Sequence, residues 1–514
     1  MPSKIISAAL IGLEAELIVV EADSGGGDFG QIAIVGLPDA STSEAKERVK
    51  SALRNCGHEF PKRKITVNLA PAEVKKHGAA YDLPIALSIL ALKNKFSHDF
   101  KNSLIVGELS LNGEVRPVKG ILAIGQKTKL AGIANLFIPE ENMAEARLIA
   151  DLKIYPITSL GQLIGHFKSK TLIEPHLFGP DDLSLLTHAE HKTQQPLQEI
   201  DFALIRGHEK AKRALEIAAA GGHNLLLIGP PGSGKTLLAR AVPGILPSLS
   251  SEEILEVTNI YSIAGELRRN LALIYERPFR APHHSASGIA LIGGGTWPRP
   301  GEISLAHRGV LFLDEFPEFS RLALENLRQP LEEGQINISR AAGSLKFPSR
   351  FILIAAMNPC PCGYLGDKKT PCRCREPQIL SYRRRLSGPI LDRIDLHLHV
   401  PRVDFEKLNT EARSESSSSV KARVENARRI QALRFKNHPC LLNSEMSSHL
   451  TRSFCRLDAH AQSLLKIASE HYNLSSRSYF RVLKIARTIA DLAASEDILA
   501  SHLAESLQYR PKIE

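Results

Sequence analysis

Short apolar runs recur through the middle of this chain, at 225–228, 310–313, 351–357 and 394–400. Runs of that kind predict strands buried on both faces, as in a parallel sheet covered by helices. Upstream, strand-like runs at 32–39, 65–71 and 104–115 alternate with helical stretches near 45–55 and 83–92, which predicts a separate α+β unit. Downstream, apolar residues three and four apart at 420–435, 459–472 and 478–494 predict a small helical lid. The stretch 335–347 alternates instead, around a turn near Gly343-Ser344, and predicts a hairpin.

Composition divides these patterns. With 514 residues, 43% of them hydrophobic, the chain can bury two or three cores. The expected fold class is α/β: an N-terminal α+β unit over 1–168, a polar linker over 169–200 with Pro175 and Gly179-Pro180-Asp181-Asp182, a central α/β unit over 201–402, and a helical unit over 403–514 opened by a serine-rich break at 414–419. The first twenty residues are apolar, but Glu14 and Glu16 interrupt them and no small-residue cleavage site follows. Neither a signal peptide nor a membrane span is predicted, so a cytoplasmic protein without a membrane partner is expected. A net charge of +10 and a pI near 9.2 favour an anionic partner, nucleic acid before others.

Chemistry concentrates in the central unit. The strand at 225–228 runs into Gly229-Pro230-Pro231-Gly232-Ser233-Gly234-Lys235-Thr236, and good helix formers follow until Pro243-Gly244. In such a loop successive backbone N–H groups curl around the β-phosphate of a nucleoside triphosphate. Lys235 reaches the β/γ oxygens, Thr236 offers its hydroxyl to Mg²⁺, and the helix presents its positive end. The run at 310–313 ends in Asp314 and Glu315, suited to the Mg²⁺ shell and to polarising the attacking water. The strand at 351–357 ends at Asn358, a polar group able to orient that water, and Arg393 emerges before the last strand, suited to act in trans.

In this order the landmarks resemble the AAA+ ATPases, with Walker A at 229–236, Walker B at 311–315, sensor 1 at Asn358 and an arginine finger at Arg393. Arg477, at the start of a lid helix, is similar to sensor 2, with Arg481 in reserve. The resemblance implies ATP and Mg²⁺ as cofactors and a ring, a hexamer, in which Arg393 completes the neighbour's site. The segment 279–319, with Arg280-Ala281-Pro282-His283-His284-Ser285, Gly293-Gly294-Gly295 and Pro300-Gly301-Glu302-Ile303-Ser304, resembles the Mg-chelatase-like branch and within it the ComM (YifB) family. There an insertion and a hairpin face the central pore. Arg340 and Lys346 would then sit near the hairpin tip and grip DNA phosphates without reading bases. His283 and His284 are pore contacts by this resemblance and ordinary loop residues otherwise. What the family implies is helicase or branch-migration activity on single-stranded and branched DNA during recombination in natural transformation, beside recombination proteins.

Three further readings complete the sequence. Of seven cysteines, Cys360, Cys362, Cys372 and Cys374 crowd the loop after Asn358. They suit a closed, structural tetrathiolate Zn²⁺ site, a reading the family resemblance supports, with reduced free thiols as the alternative. The segments 76–82 and 107–117 resemble the protease domain of Lon, an S5-like fold, but the nucleophile position falls on Ala80 and its lysine partner on Leu122, so peptidase activity is not expected. Two other functions compete: a magnesium-chelatase-type ATPase subunit acting on a partner protein, and a regulatory module that binds nucleotide without turnover.

Overall fold

The computed structural model describes residues 2–25, 30–93, 96, 100–179, 182, 200–267, 273–294, 299–340, 343–367, 369–403, 415–471 and 474–510. Its N-terminal half is built on a mixed sheet of eight strands. These are β1 (Ser3–Ile11), β2 (Glu14–Gly25), β3 (Ile32–Val35), β4 (Lys64–Ala70), β5 (Ser103–Ile105), β8 (Asn135–Pro139), β9 (Lys153–Ile157) and β10 (His176–Leu177), in spatial order β10-β9-β8-β5-β1-β2-β4-β3. A two-stranded ribbon, β6 (Glu108–Leu109) and β7 (Val115–Arg116), stands beside it.

The apolar first twenty residues are the antiparallel hairpin β1–β2. They lack clear alternation because both faces of the sheet are covered. Ile5, Ile18 and Val20 pack against the helices Ala40–Asn55, Asp82–Ala91 and Leu160–Phe167, whereas Ala8 and Ala15 face the helix Ile121–Leu130. The run expected as one strand at 104–115 is broken into β5, β6 and the start of β7, and the chain turns at Gly113, where φ is +87°. β10 lies inside the stretch expected as linker. It pairs with β9, and nearby Asp182, 2% exposed, accepts from Arg147 and from the Gly179 N–H. The remainder of that linker, 180–181 and 183–199, lies outside the described residues.

The central unit holds an all-parallel sheet of β11 (Leu225–Ile228), β12 (Phe279–Arg280), β15 (Val310–Leu313), β18 (Ile352–Met357) and β19 (Leu396–His399), ordered β12-β15-β18-β11-β19. Leu225, Leu226 and Leu227 are at most 1% exposed, each side chain contributing roughly 1.5–3 kcal/mol of burial. Two short ribbons project from this unit, β13 (Gly293–Gly294) with β14 (Arg299–Pro300), and β16 (Gln335–Arg340) with β17 (Gly343–Pro348). Helices follow: Ser417–Arg434, Ser448–Phe454, Ala459–His471, Ser476–Leu492 and Ala500–Gln508. The serine run leads from the central unit into these helices, and its end is anchored back to that unit. Ser416 caps the first of these helices, and Ser417 exchanges hydrogen bonds with Asp201 and the Phe202 N–H at the entry of the central unit. Ser414 lies outside the described residues. Among the described residues, no helix is long and apolar enough to cross a membrane.

The two halves share a core. Leu249, Ile254, Ile263 and Leu273, on and around the helix Ser251–Ala264, pack into the same cluster as Ala8, Ala15 and Leu122. Inside that contact Glu145, 5% exposed, accepts from the Leu122 N–H at 2.9 Å and from the Ser262 hydroxyl at 2.5 Å. Ser262 in turn accepts from the Gly120 N–H. Burial raises the pKa of the Glu145 carboxyl, so the folded state holds its proton longer than the unfolded chain and stability contributed here falls as pH rises through the folded value. Glu145→Gln, which keeps an acceptor, should remove that alkaline loss. Glu145→Ala should cost about 1–3 kcal/mol at every pH by orphaning buried donors, both read as denaturation midpoints across pH 5 to 9.

Candidate active site

In a parallel sheet all strands deliver their carboxyl ends to one edge. Ile228, Leu313 and Met357 therefore hand the phosphate loop, Asp314-Glu315 and Asn358 to the same place. The loop begins where the chain has no room for a side chain, since a Cβ on Gly229 would collide with the Val400 carbonyl. It turns into the helix Lys235–Arg240 through Gly234 at φ +81°. The Lys235 ammonium donates to the carbonyls of Gly229 (2.7 Å) and Pro230 (3.0 Å) and to Asn358 Oδ1 (3.3 Å). Burial pushes its pKa down, and Asp314 opposes that shift. The Thr236 hydroxyl donates to Asp314 Oδ2 at 2.8 Å, so the two oxygens suited to Mg²⁺ already adjoin.

Glu315 adopts a left-handed backbone, φ +51°, uncommon for a non-glycine residue. Its carboxylate lies 3.1 Å from His284 Nδ1, and the His284 ring packs at a tilt against His283 with centroids 4.1 Å apart. The histidine pair expected at a pore thus borders the nucleotide site through His284.

Arg393 goes the other way. β19 runs parallel to β11 with Leu396 opposite Leu225, and the Arg393 carbonyl accepts from Asn224, the residue before β11. That is the amino edge of the sheet, at least roughly 10 Å of strand from the phosphate loop. There Arg393 pairs with Glu332, and Arg477 approaches the same Glu332 oxygen at 3.7 Å. The reserve residue Arg481 is engaged elsewhere, 3.2 Å from Asp395, itself bound to His223.

Three family profiles match consecutive parts of the chain. Residues 201–408 match magnesium chelatase, subunit ChlI; residues 20–142 match subunit ChlI of Mg-chelatase; and residues 414–510 match the subunit ChlI C-terminal region. The competence protein ComM of Haemophilus influenzae is 42% identical over 519 residues, which span 99% of this chain and 97% of that protein. The chain belongs to the ComM/YifB family. The YifB protein of Salmonella typhimurium is likewise 42% identical over 507 residues, 98% of this chain and 96% of that one. By contrast the magnesium-chelatase 38 kDa subunit of Rhodobacter capsulatus is 26% identical over 174 residues, 31% of this chain and 50% of the subunit. Membership in the family makes the chain an AAA+ ATPase of the magnesium-chelatase type, and ATP with Mg²⁺ its nucleotide and metal. The profile over 20–142 also means that the front segment does not by itself set the family apart from chelatase subunits.

Two expectations about the family's hairpin change. The strands β16 and β17 pair Arg340 with Gly343 and Ser339 with Ser344, so the turn precedes Gly343. Arg340 is at the tip, but exposed Lys346 pairs with Asn337, three rungs and about 10 Å back. The hairpin also leans on the front half, where Leu345 lies within 3.4 Å of the Cβ position of Gly12.

The four cysteines after Asn358 converge. The sulfurs of Cys360, Cys362, Cys372 and Cys374 all lie within 4.8 Å of one another, with Cys360 and Cys362 3.4 Å apart. A tetrahedral zinc with sulfur ligands at about 2.3 Å needs spacings near this range. Backbone N–H groups of Arg373 and Tyr364 pull the Cys362 thiol down to about 6, whereas burial and the neighbouring sulfurs push Cys372 and Cys374 up. The loop rests on the nucleotide site, since a Cβ on Gly363 would come within 2.6 Å of Pro231. His208 was not singled out in the sequence. Its φ is +62°, its ring lies 3.5 Å from the Cβ position of Gly234, and no local pattern distinguishes it from a surface histidine.

Proposed function

We propose that the chain forms a ring, a hexamer, that hydrolyses ATP between subunits and moves on DNA, as a helicase or branch-migration motor in recombination of incoming DNA. The placement of Arg393 at the amino edge carries this reading, because a finger there has to serve a neighbour. Gly229 to Lys235 bind the phosphates, and Thr236 with Asp314 holds Mg²⁺, which neutralises charge on the β/γ oxygens. Glu315 takes the proton of the attacking water, Asn358 orients that water, and Arg393 and Arg477, drawn together by Glu332, face the adjoining subunit's nucleotide. DNA as partner is supported by the net charge of +10, by Arg340 and Lys346 on one hairpin, and by the naming of the Haemophilus relative as a competence protein. Single-stranded and branched DNA are the expected substrates, recombination proteins the expected companions, and the cytoplasm the expected location. Cys360, Cys362, Cys372 and Cys374 hold a structural zinc that braces the phosphate loop.

A second reading, an ATPase subunit that drives a partner protein as in magnesium chelatase, is supported by the profile descriptions. The two separate in one assay. Steady-state ATPase should rise with single-stranded or forked DNA and lose that stimulation as salt is raised; ATPase indifferent to DNA would favour the partner-driven reading. Arg393→Ala and Glu315→Gln should each depress turnover by about 10³ or more, yet mixing the two should restore part of it, since one class of interface regains both residues. Silence in the mixture would place Arg393 outside the neighbour's site. Protein purified without chelator should carry about one zinc per chain, the stoichiometry of a closed four-cysteine site; protein devoid of zinc would leave reduced thiols.

A further inference from the structure

One exposed stretch of the chain is strongly basic. Between residues 369 and 385 stand six basic residues, Lys369, Arg373, Arg375, Arg383, Arg384 and Arg385, against one acid, Glu376, half of the chain's net charge of +10. All six basic residues are exposed. Arginines elsewhere in the fold are commonly engaged, as Arg48 is with Asp82, Arg280 with Glu302 and Arg434 with Asp491. Here Arg385 pairs with Glu318, but among the described residues Arg373, Arg375, Arg383 and Arg384 make no ion pair.

The scaffold under these four is stiff. Arg373 sits between Cys372 and Cys374 in the four-sulfur cluster, and Arg375 caps the helix Glu376–Arg383. That helix is pinned by Tyr382, 6% exposed, which packs into the same apolar cluster as Met357 at the end of β18. Arginine forks held by such a base lose little entropy when they engage phosphate oxygens in pairs. Eight helical residues span about 12 Å, a little over three nucleotides of rise along one strand.

We propose that this arginine face, formed by Arg373 and Arg375 on the cysteine loop and Arg383 and Arg384 at the helix end, binds the phosphate backbone of DNA independently of sequence. The inference rests on the DNA-motor reading and adds a contact separate from the β16–β17 hairpin. It also gives bound DNA a short route to the ATP site, through Gly363 to Pro231. A tetrathiolate zinc would carry a formal charge of −2 and draw on Arg373 and Arg375, which flank its cysteines, more than on the pair a helix away.

The test uses the full-length protein with all four arginines changed to alanine, and a second variant with all four changed to lysine. Binding to labelled single-stranded and forked DNA is titrated at several salt concentrations, alongside zinc content and particle size. The alanine variant should bind at least about tenfold more weakly at 100 mM salt, with a log–log salt slope shallower by roughly 3, the loss of four phosphate contacts. The lysine variant should keep most of the slope, with zinc and assembly unchanged in both. Wild-type binding with an unaltered alanine variant would overturn the inference. So would loss of assembly, which would make the face a subunit contact, or loss of zinc alone, which would make the arginines charge compensation for the cluster. No binding by the wild type would instead remove the DNA reading itself.

Discussion

The site depends on one constraint: β11 is buried between two parallel neighbours. Its backbone is hydrogen-bonded to β18 on one side and β19 on the other, and its leucines are closed off on both faces. Nothing in that position can slide or turn without breaking ladders on both sides. The carboxyl ends of β11, β15 and β18 consequently share an edge, and Thr236 meets Asp314 across the intervening strand. The same parallel register sends Arg393 to the far edge, away from the phosphate loop of its own chain.

Around that sheet, three further elements reach the nucleotide site by separate contacts. The cysteine loop touches it through Gly363 and Pro231, the entry to the central unit places His208 over Gly234, and His284 holds the Glu315 carboxylate from the segment after β12. The front half is joined to the helix Ser251–Ala264 by shared apolar packing and by the buried Glu145–Ser262 bond. It also touches the hairpin at Leu345. The front half is thus docked on the ATPase core without reaching the phosphate loop.

Much of the site was legible because its chemistry is local. Gly229 to Thr236 form one loop, Asp314 and Glu315 end one strand, and the cysteines lie within fifteen residues of one another, so spacing along the chain stands in for proximity in space. Legibility failed where environment outweighed pattern. The β1–β2 hairpin was hidden because helices cover both sheet faces and erase alternation. The Glu332 meeting point of Arg393 and Arg477 joins segments more than sixty residues apart, and no periodicity records it.

By itself the sequence determined that this is an α/β protein of an ATPase family, where the phosphate loop and the paired acids lie along the chain, and that four thiols gather in one loop, because loops and strand ends carry their chemistry in consecutive residues. Tertiary structure alone decided which edge of the sheet each group occupies, that His284 reaches Glu315, that Lys346 stands back from the hairpin tip and that Arg481 is committed to Asp395. Those outcomes depend on strand register and on buried partners distant in sequence, and both are settled by packing of the whole chain.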